Sequence, residues 1–256
     1  GDVEKAHGVY MDLMRQTDDP DMLLAWLRLL SQEERPSQIK NAYQAWADMY
    51  PGSAGEVLSA VTSILSEMDH PDSIRVAEEI VRSILADNPE HVDGCYAMGL
   101  LLHLTGRGRE AVQWYEKTIR LNPEHVVAMN NLAWLLCTEE GDYQRALEIA
   151  QQGLELYSSY IDLIDTRGVI YMHRGDYEKA ADDFERCEKM YFDTDPSKTA
   201  SVFRLGKCLH LLQKDRQALV ALSKAKSMNR ISGGLSSGEL AELEKMIQAI
   251  TRNASS

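Results

Sequence analysis

The sequence predicts an all-α protein, a right-handed solenoid of stacked helix–turn–helix units that ends in a capping helix. Two observations predict this fold. Apolar residues recur at helical spacing along nearly the whole chain, and strand-like alternation with hairpin turns is absent. A small residue, an alanine and a bulky apolar residue also recur together every 34 to 38 residues. Such a period is typical of repeats that bury their apolar faces only against their neighbours.

The three recurring positions follow one another in the same order in each unit. The small position holds Gly99, Ala133, Gly168 and Gly206. The alanine position holds Ala111, Ala146, Ala180 and Ala218. The bulky position holds Tyr115, Phe184 and Leu222, with Ala150 as the exception. We expect the small residue to let the two helices of a unit approach closely, and the bulky residue to fill the gap between them.

Helix-breaking residues divide the chain into about fourteen predicted helices of roughly twelve to sixteen residues. The longer connections contain the prolines Pro20, Pro36, Pro51, Pro71, Pro89, Pro123 and Pro196. The shorter turns contain Gly106, Gly141 and Gly175. These breaks lie where a repeating helix–turn–helix unit requires them.

The best-formed units resemble the tetratricopeptide repeat, whose pattern has a small residue at position 8, alanine at 20, a bulky residue at 24 and proline at 32. The unit 92–125 carries this pattern in Gly99, Gly106, Ala111, Tyr115 and Pro123. The units 126–160, 161–198 and 199–231 follow it, and 126–160 contains one inserted residue. The resemblance implies two helices, A and B, in each repeat.

The pattern weakens on both sides of these four repeats. Residues 20–53 and 54–91 have the length and the prolines of the repeat but lack its small residue, so we interpret them as degenerate repeats. Residues 232–256 predict a flexible Gly/Ser linker followed by a capping helix with a charged outer face.

The first residues are similar to the start of helix B in later repeats. Gly1–Ala6 is similar to residues 141–146 and 175–180. We therefore expect residues 1–19 to be helix B of a truncated repeat, and the chain to be a fragment of a longer solenoid.

The charge balance argues against nucleic acid and anionic membranes as partners. The chain carries 27 basic and 40 acidic residues, a formal net charge of −13, which repels both. No apolar run approaches the roughly 20 residues that span a bilayer, so we expect no membrane insertion. We expect a protein or peptide partner. The compartment, cytoplasm or periplasm, and the oligomeric state do not follow from the sequence.

No residue pattern predicts catalysis, a cofactor or a metal site. Gly234–Gly238 matches G-x-S-x-G, but the hydrolase elbow needs a strand before its serine, and none is predicted. Ser236 and Glu239 fit a capping box instead. His91 and His125 occupy equivalent positions one repeat apart, too far to share a metal, and we assign them to the turns between repeats. We therefore predict that the chain is not an enzyme.

The four cysteines are far apart in sequence and fall on different predicted helices. They are Cys95, Cys137, Cys187 and Cys208. We expect free thiols rather than a disulfide framework, because a chain of this length with so few cysteines seldom depends on one.

In the family that the repeats resemble, one face of each helix A lines a concave groove that accepts a peptide or a helix. The resemblance implies a peptide-binding groove of Tyr96, His103, Asn130, Asn131, Trp134, Asp165, Thr166, His173, Arg204, Lys207 and His210. The same positions add Asp93, Thr138, Asp162 and Phe203. Aromatic side chains there supply contact energy, and amides orient a backbone. The acidic charges at 162 and 165 and the basic charges at 204 and 207 predict a ligand of mixed charge.

Three further residue patterns refine this interpretation. Some members of the family clamp a terminal carboxylate with a pattern of lysine and asparagine residues. That pattern is largely missing here, since only Asn131 matches it in one alignment of the repeats and only Arg204 in the other. Residues 130–136 and 165–168 are similar to stretches common in bacterial tetratricopeptide scaffolds. Arg167 replaces the preferred leucine, and we expect it to pair with Asp162 or Asp165, or to lie along the helix interface.

The sequence thus predicts a non-catalytic protein–protein interaction scaffold that binds a peptide or helix of its partner in the concave groove. Two alternatives stay open. One is a regulatory or substrate-presenting segment of a larger enzyme. The other is a spacer whose groove binds nothing.

Overall fold

The computed structural model describes residues 8–10, 12, 13 and 16–254 of the chain. Within these residues it is all-α and contains no β-strand, which confirms the predicted fold class. The predicted helix B at 1–19, including its Gly1–Ala6 similarity, lies largely outside the described residues. No helix of the described chain is both long and apolar enough to cross a membrane.

The chain divides into two compact units, the first ending at Ala128 and the second beginning at Met129. The first unit contains the helices α1 (Pro20–Gln32), α2 (Pro36–Met49), α3 (Ala54–Glu67), α4 (Ser73–Asp87), α5 (Val92–Leu104) and α6 (Gly108–Leu121). The division falls within α7 (Val126–Leu135). The second unit continues with a π-helical turn (Leu136–Glu140), α8 (Tyr143–Leu156), α9 (Ile161–Arg174), α10 (Tyr177–Met190), α11 (Pro196–Leu211), α12 (Asp215–Ser232) and α13 (Ser237–Ala254).

Successive helices of the first unit pack as pairs, and the first helices of the pairs also contact one another. Trp26 of α1 and Trp46 of α2 are completely buried, as is Leu58 of α3. These large side chains form the core of residues 20–91, where the small residue of the repeat pattern is missing. Burial of each such side chain contributes about 1.5–3 kcal/mol to stability.

The recurring small residue and bulky residue of each repeat lie against each other. A Cβ atom at Gly99 of α5 would come within 2.8 Å of the ring of Tyr115 on α6. A Cβ atom at Gly206 of α11 would come within 2.7 Å of the Leu222 side chain on α12. The small residue is therefore required for the close approach of helices A and B.

The residue inserted in the second repeat lies in the π-helical turn. The small residue and the turn glycine are seven positions apart in Gly99–Gly106, but eight apart in Ala133–Gly141. The π-helical segment Leu136–Glu140 accommodates the additional residue in a single, wider helical turn. Gly141 then ends the segment in the left-handed conformation, with φ of 69°.

A second insertion lengthens the start of α11. The helix α9 begins seven residues before Gly168, whereas α11 begins at Pro196, ten residues before Gly206. Asp195 caps this additional turn by accepting a hydrogen bond from the Ser197 backbone N–H at 2.8 Å. Residues of this additional turn form part of the wall of the candidate functional site.

The segment between α12 and α13, expected to be a flexible linker, is instead held against the protein. A Cβ atom at Gly234 would lie 2.1 Å from the carbonyl oxygen of Pro196, so the backbone makes direct contact there. The backbone N–H of Leu235 donates to Asn229 Oδ1 at 3.0 Å. Next to it, the capping box predicted for the last helix is present: the Ser236 N–H donates to Glu239 Oε2 at 2.9 Å, and the Glu239 N–H donates to Ser236 Oγ at 3.3 Å.

Candidate functional site

A cavity of about 330 Å³ lies in the second unit and is lined by α7, α9 and α11. We call it the α9 pocket; its lining residues are Asn130, Trp134, Asp162, Asp165, Thr166, Tyr191, Pro196, Ser197, Ala200, Arg204 and Gly234. Five of the eleven residues predicted for the groove are among them: Asn130, Trp134, Asp165, Thr166 and Arg204. These five come from the helix A of three successive repeats.

An ion pair between α9 and α11 forms the base of the α9 pocket. The Arg204 guanidinium donates to Asp165 Oδ2 at 2.8 Å, and the Ser201 hydroxyl donates to Asp165 Oδ1 at 2.5 Å. Burial raises the pKa of the Asp165 carboxyl, while Arg204 and Ser201 oppose that rise. Because both oxygens of the carboxylate are satisfied, the pair acts as a fixed structural link.

Two further hydrogen bonds fix the polar side chains around the pocket. The Tyr191 hydroxyl donates to Asp162 Oδ1 at 2.7 Å, and burial together with this bond raises the pKa of Tyr191. The Thr166 hydroxyl donates to Asn130 Oδ1 at 2.8 Å. The indole of Trp134 is half-buried beside them. The pocket thus combines an aromatic surface with oriented polar groups, which is the composition of a recognition site.

The basic residues from which a ligand of mixed charge was predicted are paired with acidic side chains of the same chain. Arg204 pairs with Asp165, and Lys207 pairs with Glu242 of α13 at 2.8 Å. The Nδ1 atom of His210 lies 2.6 Å from Asp215 Oδ1. Within the described structure, both Arg204 and Lys207 therefore have a carboxylate partner.

Phe203, which the repeat positions also placed in the groove, is 1% exposed and belongs to the core. The Lys207 ammonium lies 5.4 Å from the centre of its ring. The assignment of this residue from its repeat position is wrong because its side chain lies between the helices and not in the cavity.

The other predicted groove residues do not line the α9 pocket. His173 is exposed and stacks on Tyr143 with ring centres 5.6 Å apart. Asn131 accepts a long hydrogen bond, of 3.4 Å, from the Asn130 amide. The remaining ones are Asp93, Tyr96 and His103 of the first unit, Thr138 of the π-helical turn, Lys207 and His210.

Arg167 pairs with neither Asp162 nor Asp165. Its guanidinium makes two hydrogen bonds to Asp183 of α10, at 2.8 and 2.6 Å. The stem lies across the interface between helices A and B, where the Asp183 side chain is 5% exposed. This bidentate pair raises the pKa of Arg167 and holds α9 against α10.

Sequence reasoning missed five lining residues: Tyr191, Pro196, Ser197, Ala200 and Gly234. The first three belong to the connection and the additional helical turn created by the insertion before α11. The 38-residue spacing between Gly168 and Gly206 signals that insertion, but spacing alone does not place its side chains. Gly234 comes from a segment outside the repeat pattern.

The remaining candidates for chemistry have structural roles. His91 and His125 cap α5 and α7, each accepting a backbone hydrogen bond at Nδ1, at 3.2 and 3.1 Å. All four cysteines are free and buried. Among the described residues, no group of three or more His, Cys, Asp or Glu side chains is placed to hold a metal ion.

Comparisons with known proteins agree on one type of repeat. Tetratricopeptide repeat models match residues 94–159 and 162–194, and no curated protein matches the chain. The structure of pilF from Pseudomonas aeruginosa is similar with a TM-score of 0.63 at 16% identity, covering 92% of this chain and 98% of that one. A tetratricopeptide repeat protein from Parabacteroides merdae gives 0.59 at 20% identity, with 97% and 93% covered. MamA from Desulfovibrio magneticus gives 0.55 at 16% identity, with 69% and 95% covered. At such identities the likeness concerns the fold alone.

Proposed function

The chain is a tetratricopeptide repeat protein, and on that basis we propose that it is a non-catalytic protein-interaction scaffold that binds a peptide or helix of a partner in the α9 pocket. The observation that carries this proposal is the convergence of three successive A helices on one cavity. Repeat proteins use the surface formed by equivalent helices of neighbouring repeats for binding.

The chemistry of the pocket supports a protein ligand. Trp134 offers a large, half-buried aromatic surface, the type of side chain that dominates interface energy. The amide of Asn130 is held by Thr166 at 2.8 Å and is therefore oriented before a ligand arrives. Groups that are already fixed lose little conformational entropy on binding. The pocket is thus suited to a short segment of a partner protein.

Site-specific photo-crosslinking tests the proposal. A photoreactive benzoylphenylalanine replaces Ser197, which is exposed at the edge of the pocket, and in a second protein it replaces Ser223, which is exposed on α12. Both proteins are irradiated in the cells that produce the chain, and crosslinked products are identified by mass spectrometry. We expect a protein that is crosslinked from position 197 and not from position 223.

A variant that fills the pocket provides the control. Ala200→Trp places a large side chain in the cavity, whereas Ala249→Trp places the same side chain on the exposed surface of α13. The crosslink from position 197 should disappear with Ala200→Trp and persist with Ala249→Trp. Equal crosslinking from both photoreactive positions, or a crosslink that survives the filled pocket, would show that partners bind elsewhere.

A further inference from the structure

The α9 pocket is bounded on one side by residues that lie outside the repeat pattern. Pro196 and Ser197 belong to the additional turn of α11, and the backbone of Gly234 contacts the carbonyl oxygen of Pro196 directly. The hydroxyls of Thr199 and Ser232 lie 3.2 Å apart next to this contact. Because backbone packs directly on backbone on this side, we expect a ligand side chain to enter the pocket from its opposite, open side.

The ionisable groups of the pocket leave one negative charge. Two carboxylates and one guanidinium line it, those of Asp162, Asp165 and Arg204. Asp165 and Arg204 neutralise each other at 2.8 Å. Asp162 is exposed, and among the described residues no cation pairs with it. Its Oδ1 atom accepts the Tyr191 hydroxyl, and Oδ2 has no hydrogen-bond partner in the described structure. The unpaired charge available to a ligand is therefore a carboxylate.

An aromatic ring lies in the same cavity as this carboxylate. Trp134 is half-buried and contributes its indole to the lining. The faces of indole rings attract organic cations, and a carboxylate beside such a ring strengthens the attraction. An anionic side chain would instead be repelled by the negative charge of Asp162, which opposes its binding.

We propose, resting on the function proposed above, that the α9 pocket receives the cationic side chain of a lysine or arginine from the partner's peptide. The aliphatic stem of that side chain contacts Trp134, and its charged end bonds to Asp162 Oδ2. The pocket then selects partners by a single basic residue. The other residues of the bound peptide contribute less specific contacts with the A helices.

Peptide pools of defined central residue test this inference on the full chain. The pools are acetylated and amidated heptapeptides with mixed flanks and a fixed central lysine, arginine, norleucine or glutamate. Binding is followed by the NMR signal of the Trp134 indole N–H, assigned by its loss in Trp134→Phe. We expect the lysine or arginine pool to bind about tenfold more tightly than the glutamate pool, a difference of roughly 1.4 kcal/mol.

Two matched variants locate the charge. Asp162→Asn keeps an oxygen that accepts the Tyr191 hydroxyl but removes the negative charge, and it should weaken the basic pool about fivefold. Asp182→Asn removes an exposed carboxylate of α10 that does not line the pocket, and it should leave binding unchanged. Circular dichroism on both variants checks that each is folded.

Three outcomes would overturn the inference. They are equal binding of the basic and glutamate pools, unchanged binding of the basic pool by Asp162→Asn, and tighter binding of free spermidine than of any pool, which would make the site one for small polyamines. The first two outcomes leave the scaffold proposal standing if the photoreactive residue at position 197 still crosslinks a partner. Loss of that crosslink specificity, in contrast, removes the proposed function itself.

Discussion

Gly168 on α9 lies directly against Phe184 on α10: a Cβ atom at Gly168 would sit 2.8 Å from Cε1 of the ring. Phe184 is completely buried, so the ring has little room to move away. Gly99 and Tyr115 repeat the arrangement in the first unit with the same distance. This contact explains in physical terms why the small residue and the bulky residue recur together along the sequence.

We predict that Gly168→Ala destabilises the protein. Overpacking a well-filled interface costs about 1–3 kcal/mol, and the better helix propensity of alanine returns only about 1 kcal/mol. Gly238→Ala is the matched control, because a Cβ atom there meets nothing within 4 Å. Urea unfolding followed by circular dichroism measures both. An unchanged midpoint for Gly168→Ala would show that overpacking against Phe184 costs no more than the gain in helix propensity returns.

The ion pair between Arg167 and Asp183 provides a second prediction. Asp183→Asn leaves the guanidinium without its bidentate partner in a site where the Asp183 side chain is 5% exposed. Breaking a buried pair in this way costs about 3–5 kcal/mol. The double variant Arg167→Met with Asp183→Leu removes both charges and should recover most of that loss. If the single variant unfolds at the wild-type urea concentration, the pair does not hold the two helices together.

Burial should protect the four thiols from modification. It raises the pKa of Cys137 to about 11 and that of Cys208 to about 12, and it raises the pKa of Cys95 and Cys187 as well. Because the thiolate is the reactive form, we expect native protein to react with a disulfide reagent at least about tenfold more slowly than protein in urea. Rapid labelling of a single cysteine in the native protein would identify a site where a helix opens locally.

His125 makes stability depend on pH. Burial lowers the pKa of its imidazole below 6.5, with the Asp93 carboxylate opposing this effect. The folded state therefore prefers the neutral ring, whose Nδ1 accepts the Ala128 N–H. This contribution is complete above pH 6.5 and is lost as the pH falls from 6.5 toward the lower folded pKa, because the unfolded chain binds the proton first.

The expected loss is that of a helix cap, about 1 kcal/mol. His125→Asn keeps an oxygen that can accept the same hydrogen bond but does not titrate in this range. Urea unfolding at pH 7.5 and pH 5 should therefore show a smaller decrease in stability for His125→Asn than for the wild type. A parallel decrease in both proteins would assign the pH dependence to other groups.

The fold could be predicted from the sequence because its main contacts recur. The small and bulky residues occur at fixed spacing, and the physics of close helix packing then specifies which residues meet. The inserted residue of the second repeat was also predictable, although its π-helical conformation was not. An additional residue can be absorbed in a helix or in a loop, and the spacing does not distinguish these.

The site was predictable only in part, since the repeat positions place residues on a helix face but do not assign their partners. Asp165 and Arg204 were both placed in the groove, yet their 2.8 Å contact with each other was not anticipated. Arg167 pairs with Asp183, which lies on helix B of the same repeat. Tyr191 and Gly234 come from an insertion and a terminal segment, for which the repeat provides no template.

Gly234 offers the last prediction, because it joins the terminal segment to the pocket wall. Its φ of +105° is unfavourable for other residues, and a Cβ atom would lie 2.1 Å from the Pro196 carbonyl oxygen. Gly234→Ala therefore has to displace the segment from α11, at a cost of about 1–3 kcal/mol. Gly233→Ala separates the two effects, since Gly233 also has a positive φ but nothing within 4 Å of its Cβ position. Hydrogen exchange should become faster at the start of α13 and in the first turn of α11 with Gly234→Ala, and less so with Gly233→Ala. Equal exchange in the two variants would mean that backbone conformation alone, and not the contact with Pro196, holds this wall of the pocket in place.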